Sequence, residues 1–294
     1  MSAADISLEQ YTLCPSRTPE RCKFNGTPLA RDGEDQAVYC CQTCGLGVTR
    51  PPLADTSNLY LDRTSQNFLT YYTSLAGRLK QIRLKMIARA IMSPAAHAPN
   101  LVLDFGCGDG ALTGAIADEL GANARVVGLD FFEEPPPKIG NAQYAGYSKL
   151  AEFSERADIV TCFHVMEHDD DAPAFLARLK SLLRPGGILI VEVPNIDCVW
   201  TPWFGENCDN WAMPFHRLHF NRAVLRQAVE AAGLTVITQE NVLAATTANS
   251  LAKLFGLSFG GLPLAAALLL LPAQWLAERL TGRPSGLRIY ALKP

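Results

Sequence analysis

The chain has 294 residues, 48% of them hydrophobic, and a formal net charge of −3. That length and apolar content allow one large core with an appendage, and the near-neutral charge excludes a global nucleic-acid footprint. The opening MSAADISLEQ carries no basic run and no apolar core, so no signal peptide is expected and the chain reads as a cytoplasmic enzyme.

Five of the nine cysteines, Cys14, Cys22, Cys40, Cys41 and Cys44, fall in the first 44 residues. In a cytoplasmic setting this crowding suggests metal ligands rather than disulfides. Tyr39–Pro51 reads YCCQTCGLGVTRP. A Cys-x-x-Cys-Gly turn lets two thiolates meet one tetrahedral zinc. The stretch is similar to the second knuckle of a zinc ribbon. The first half departs from that pattern, because seven residues separate Cys14 from Cys22. The expected ligands are Cys14, Cys22, Cys41 and Cys44, in a structural module over residues 1–52. Free thiols in a loop-rich cap are the competing reading.

Residues 53–97 form a bridge. Tyr60, Phe68, Tyr71 and Tyr72 crowd together, and GRLKQIRLKMIARAIM over 77–92 has helical spacing with Arg and Lys on one face. A solvated face explains those charges; an anion-docking face is the alternative.

From Asn100 the chain alternates strand and helix, which predicts an α/β domain over 98–294 with a parallel sheet. Strands are expected at Leu101–Asp104, Arg125–Asp130, Asp158–Phe163, Gly187–Val193 and Leu234–Thr238. A short one is expected at Gln143–Tyr147 and a last one at Leu287–Leu292. Helices are expected at Asp171–Leu183 and Arg222–Ala232, and Arg184–Gly187 as a turn. Leu101–Gly110 reads LVLDFGCGDG. Gly106, Gly108 and Gly110 let the backbone turn sharply against a ligand. Asp130 ends the next strand, where an acid accepts hydrogen bonds from a ribose diol. Gly106, Gly108 and Ala111 also satisfy the dinucleotide pattern G-x-G-x-x-A. Asp104 and Asp109 argue against a diphosphate there.

Two later segments add to the pattern: ADIVTCFHVMEH over 157–168 and LLRPGGILIVEVPN over 182–195. As an ordered set, these motifs resemble the class I S-adenosylmethionine-dependent methyltransferases, in the small-molecule branch with an E-H pair after the fourth strand. The resemblance spans roughly Asn100 to Ile237. It implies a Rossmann-like seven-stranded sheet and a donor site from Asp104, Gly106, Cys107, Gly108, Gly110, Asp130 and Phe131. Tyr147 or Ser148 is expected near the adenine edge, and Phe163 on the same rim. It also implies that helices in the bridge cover the cofactor.

Four of the five histidines form two clusters, HVMEH with His164 and His168, and PFHRLHF with His216 and His219. Methyl transfer to a hydroxyl needs alignment and a proton acceptor, and imidazole suits that task. His164, Glu167, His168 and His216 are the candidate catalytic residues, with His164 as base or substrate contact. For His168 a structural hydrogen bond is the plainer reading. In a ubiquinone-pathway branch of the resembled family, the corresponding loop reads E-x-x-E-H and binds a divalent ion. Here imidazole replaces the first carboxylate, which favours zinc or iron over magnesium.

Trp200, Trp203 and Trp211 lie in the segment after the 187–193 strand, as a stacking surface or a packed lid. Leu254–Ala277 then runs 24 residues without a charge, inside an apolar insertion over 251–282. Pro263 and Pro272 interrupt it, and the expected last strand follows it. Spanning, shallow membrane insertion, and a helical cap or homodimer face all stay open. Lys253, Glu278, Arg279, Arg283 and Arg288 flank it as candidate headgroup contacts.

The expected activity is methyl transfer from S-adenosylmethionine to a small or lipid-linked acceptor. A hydroxyl of a saccharide or glycolipid is preferred, on the resemblance. A quinone or polyprenyl-phenol O-methyltransferase is the alternative within enzymes. A non-catalytic donor-binding or zinc-ribbon scaffold is the alternative outside them.

Overall fold

The computed structural model describes residues 28–32, 36–51, 82, 84–90, 98–244, 246–256 and 261–294. Cys14, Cys22, most of the 53–97 bridge and its four aromatic residues lie outside them. The described chain forms β1 (Ala30–Asp32), β2 (Gln36–Cys40), β3 (Gly47–Arg50), β4 (Leu101–Phe105), α1 (Ala111–Leu120), β5 (Arg125–Asp130), β6 (Gln143–Gly146) and β7 (Ala157–Phe163). It continues through α2 (Ala172–Leu182), β8 (Leu183–Pro194), α3 (Thr201–Phe204), β9 (Leu218–His219), α4 (Arg222–Ala231), β10 (Thr235–Val242), α5 (Thr246–Leu254), α6 (Gly261–Thr281) and β11 (Gly286–Leu292).

One sheet has seven strands in the order β10-β11-β8-β7-β4-β5-β6. This is the expected Rossmann-like α/β architecture. The chain divides into two compact units: residues 1–54, 164–176 and 192–289, and residues 55–163, 177–191 and 290–294.

In the second unit, β4 runs parallel to both β5 and β7, with Asp104 opposite Gly128 and Thr161. All five residues of β4 are buried. Continuous apolar runs of this kind belong to parallel strands covered on both faces. Val102, Ile116, Val126, Ile159, Ile190 and Tyr290 share the core, and Ala88 from the 84–90 helical segment joins them. Gly110 caps α1 with φ +78. A Cβ there would meet the Ile139 backbone nitrogen at 2.8 Å, so the position demands glycine on two counts.

In the first unit, β1, β2 and β3 form an antiparallel sheet whose fourth strand is β9. The Cys-rich strands therefore share a sheet with residues 218–219. Trp211, Cys198, Cys208 and Ile196 pack with Ala30 and Val38 in a common apolar cluster. Trp211 is thus a core residue, whereas Trp203 is 79% exposed.

Arg184–Gly187, expected as a turn, lies inside β8. The pairing partner is the chain end: Gly186 N–H donates to the Lys293 carbonyl at 2.8 Å and Lys293 N–H to Gly187 at 2.9 Å. Arg288 and Glu278 are corrections too. Both are buried and held in ion pairs or hydrogen bonds, so neither is a headgroup contact. No helix among the described residues is long and apolar enough to cross a membrane.

Candidate functional site

The glycine turn connects β4 to α1. Gly106 and Cys107 donate backbone N–H bonds to the Leu129 carbonyl at 2.8 and 3.0 Å, and Gly110 closes the turn on the Cys107 carbonyl at 2.9 Å. Gly108 has φ +54, and a Cβ added there would meet nothing within 4 Å. Its backbone therefore borders open space, which another group can enter. Gly108 N–H donates to Asp130 Oδ2 at 2.8 Å, and Phe131 N–H to Oδ1 at 2.8 Å. The carboxylate at the end of β5 is thus locked beside the turn.

Asp104 is held from within the protein at the start of the turn. It is 3% exposed, and it accepts hydrogen bonds from Thr113 at 2.6 Å and Thr161 at 2.7 Å. Burial raises its pKa, against the opposing pull of those two hydroxyls. Asp104 ties β4 to β7 and α1 and so fixes the turn. Asp109 accepts from Ala111 N–H at 2.9 Å and pairs with Lys138 at 3.2 Å. Lys138 balances its charge, so repulsion of a diphosphate by Asp109 is weaker than the sequence suggested. Sequence reasoning missed Thr113, Thr161 and Lys138, because nothing local to them signals a partner in the turn.

The expected adenine-side residues sit in the same unit. Phe131 is half exposed at the end of β5, and its ring lies tilted by 33° against that of Phe132, with centroids 4.2 Å apart. Tyr147 stacks on Phe105 at 4.7 Å with an interplanar angle of 19°, and burial pushes its phenol pKa up. Ser148 is exposed and donates to Glu133 at 3.5 Å. Phe163 ends β7 and packs against the core.

The histidines and carboxylates gather in the first unit. His164 is the residue after β7 and has φ +55, a strained conformation for a residue with a Cβ. Its Nδ1 is 3.3 Å from Glu167 and its Nε2 3.2 Å from Glu192. Burial disfavours the imidazolium, but the two carboxylates outweigh it and lift the pKa to about 10. His164 is therefore biased toward its protonated form, and its side chain is 47% exposed, so the ring can donate to a group outside. Glu192 is in turn gripped by Arg288, at 2.9 Å through Nε and 2.6 Å through Nη2. Burial raises the carboxyl pKa values of Glu192 and Glu167, yet the neighbouring cations hold both below the usual range.

His168 Nδ1 lies 2.9 Å from the Phe215 carbonyl, and His216 Nδ1 3.1 Å from that of Asn210. A carbonyl only accepts, so each Nδ1 carries the proton. For His168 this is the loop-tying bond that the sequence offered as the plainer reading. Burial lowers the His216 pKa to about 4, despite Glu167, so its ring is neutral. One ligand atom each from Glu167, His168 and His216 lie within 4.8 Å of one another, a nitrogen-rich set of the kind that suits zinc or iron. His219 is not part of it, since its ring meets Thr49 Oγ1 at 2.8 Å. Arg217, unremarked in the sequence, clamps Asp170 at 2.8 Å and fixes the same loop.

A pH dependence follows. An unfolded chain releases the His164 proton above 6.5, whereas the folded chain keeps it to about 10. The contribution of this contact is therefore complete below 6.5 and lost as pH rises through the folded value. Denaturant unfolding of wild type and His164→Gln is expected to show a stability gap that is largest near pH 6 and closes toward pH 10. A gap constant over that range would contradict the ion-pair account.

Cys41 and Cys44 are buried and bracket a tight turn, in which Gly45 N–H donates to the Cys41 carbonyl at 2.9 Å and Leu46 N–H points at Cys44 Sγ at 3.5 Å. Burial and the neighbouring thiols raise the Cys40 pKa.

Comparison with known proteins places these features. The family profile described as a methyltransferase domain matches residues 77–239, more than half of the chain. A "probable S-adenosylmethionine-dependent methyltransferase" of Mycolicibacterium smegmatis is 34% identical over 142 residues, covering 46% of this chain and 52% of that protein. A ubiquinone biosynthesis O-methyltransferase of Coxiella burnetii is 31% identical over 136 residues, covering 41% and 55%. The chain spans about half the length of the curated relatives it matches. A solved geranyl diphosphate methyltransferase aligns over 81% of this chain and 95% of its own, with TM-score 0.50 and 13% identity. At that identity the likeness concerns the fold alone.

Proposed function

The chain belongs to the class I S-adenosylmethionine-dependent methyltransferase family, and from that premise we propose that it methylates a hydroxyl of a saccharide or glycolipid. The observation that carries the donor half is the open space at Gly108 beside the locked carboxylate of Asp130. A backbone without a Cβ and an acid at the next strand end suit an adenosyl group. Gly106, Cys107, Gly108 and Gly110 would hold the amino-acid end, Asp130 the ribose, and Phe131 with Tyr147 or Ser148 the adenine. When bound, the donor supplies a methyl group on a sulfonium, open to in-line attack.

The acceptor half rests on the histidine cluster. His164 leaves the carboxyl end of β7 by chain continuity and keeps its proton, so it serves as a donor that orients an acceptor oxygen. His216 is neutral, and with its pKa lowered to about 4 it is a weak base, so it serves as a hydrogen-bond acceptor that helps to orient the acceptor hydroxyl. Glu167 holds both rings electrostatically, and His168 secures the loop. A phenolic acceptor of the quinone type is the second reading, favoured by the Coxiella relative. Zinc on Cys14, Cys22, Cys41 and Cys44 belongs to the same proposal as a structural element, supported by the Cys41–Cys44 turn.

Methyl-labelled donor, incubated with the purified chain and separated saccharide, glycolipid and quinone-precursor fractions, tests this reading. Label is expected in an alkali-stable methyl ether of the sugar-containing fraction. Label only in the phenolic fraction would overturn the acceptor assignment, and none in any fraction would favour a scaffold.

A further inference from the structure

Helix α6 is inverted in polarity. Among its described side chains, residues 269–281, the deeply buried ones are Gln274 and Glu278, one turn apart on one face. Gln274 Nε2 donates to the Ala244 carbonyl at 2.9 Å and to Glu278 Oε1 at 2.7 Å, and Thr247 donates to Gln274 Oε1. Trp200 Nε1 and the Ser285 backbone N–H reach Glu278 at 3.0 and 2.9 Å. These bonds clamp α6 to its own unit by its polar side.

The outward side is apolar. Leu269 is 81% and Leu280 77% exposed, and Leu270, Leu271, Trp275 and Leu276 are exposed with them. Leu254 and Phe255, at the end of α5, are exposed as well. A patch of this kind marks an interaction surface rather than a solvated helix. Along this segment itself the charge is one-sided, while Asp209 and the exposed Glu206 come to α5 from the neighbouring turn. Residues 241–283 contain four charged side chains, Lys253, Glu278, Arg279 and Arg283. The only acid is the buried Glu278, and the three cations are exposed. Lys253 pairs with Asp209 at 3.5 Å. The Arg279 guanidinium lies 5.7 Å from the centre of the Trp275 ring. An indole and a guanidinium side by side suit the boundary between acyl chains and phosphates.

We propose that α6 and the end of α5 form a docking surface for a bilayer carrying anionic headgroups. The helix lies in the interface plane, with Leu269, Leu276, Leu280 and Trp275 among the outer acyl carbons and Arg279 and Arg283 at the phosphates. The clamp through Gln274 and Glu278 keeps it attached to its unit, so it binds without crossing.

Co-sedimentation of the full chain with vesicles of phosphatidylcholine alone, or with added phosphatidylglycerol, tests the proposal. Wild type is expected to pellet with the anionic vesicles and to be released by salt. Leu269→Glu combined with Leu280→Glu is expected to lower the bound fraction at least tenfold, and Arg279→Gln combined with Arg283→Gln to remove the preference for phosphatidylglycerol. All four positions are exposed, and circular dichroism with S-adenosylmethionine titration checks that each variant is folded. Equal pelleting of wild type and the leucine variant, or none of wild type with either vesicle, overturns the proposal. So does a wild-type dimer that the leucine variant makes monomeric while vesicles leave it intact, which assigns the face to a second copy.

Discussion

Asp130→Ala is expected to weaken S-adenosylmethionine binding by roughly a hundredfold. A hydrogen bond to a charged group contributes about 1.5–3 kcal/mol, and a ribose diol offers two. Loss of about 2.7 kcal/mol is a hundredfold in affinity. The same carboxylate also accepts from Gly108 at 2.8 Å, so the alanine variant loosens the turn as well. Asp130→Asn keeps one oxygen acceptor and the side-chain volume, and it is expected to fall between the two. Titration calorimetry with matched circular dichroism checks both variants. An alanine variant that binds within threefold of wild type would show that the ribose is held elsewhere.

The second large effect concerns stability. Arg288→Met is expected to cost about 3 kcal/mol, the low end for breaking a buried ion pair, because it takes two charge-assisted bonds from the buried carboxylate of Glu192 and leaves it one cationic partner. Glu192 is 4% exposed and receives two bonds from Arg288. His164 remains at 3.2 Å, but one imidazolium would then serve both Glu192 and Glu167. Pairing Arg288→Met with Glu192→Leu removes both charges and is expected to recover most of the loss. Urea unfolding of the two variants measures it. A single variant as stable as wild type would mean that the pair is dispensable.

Much of the sheet was legible because its signals are local. The apolar run from Leu101, the glycines after it and the acid at Asp130 each report their own strand end, and the strand at Arg125–Asp130 lies where its residues predict. The features that escaped depend on partners far along the chain. Arg184–Gly187 looked like a turn because of Pro185 and two glycines, yet its ladder runs to Lys293. Leu218–His219 carries too few residues to announce a strand, and β3 supplies its pairing. Arg288 reads as a basic flank of an apolar stretch until β8 and β11 come together and set it against Glu192.

The site follows the same division. The glycine turn is visible because glycine itself is the signal. The proton states of the histidines are not, since they follow from neighbours in space. His164 stood out by position as a base or a substrate contact, and the two carboxylates beside it favour its protonated form. His216 stood out only as one of a pair, and burial makes it the neutral ring. For Asp104, the acid was visible, but the two threonine hydroxyls that occupy it were not.

Calorimetric titration of the purified chain with S-adenosylmethionine, S-adenosylhomocysteine and NADH tests the donor assignment most directly. Saturable heat at one site with both adenosyl thioether ligands, and none with NADH, is the predicted outcome. Heat with NADH alone would mean that the turn after β4 holds a diphosphate, and the assignment would fall.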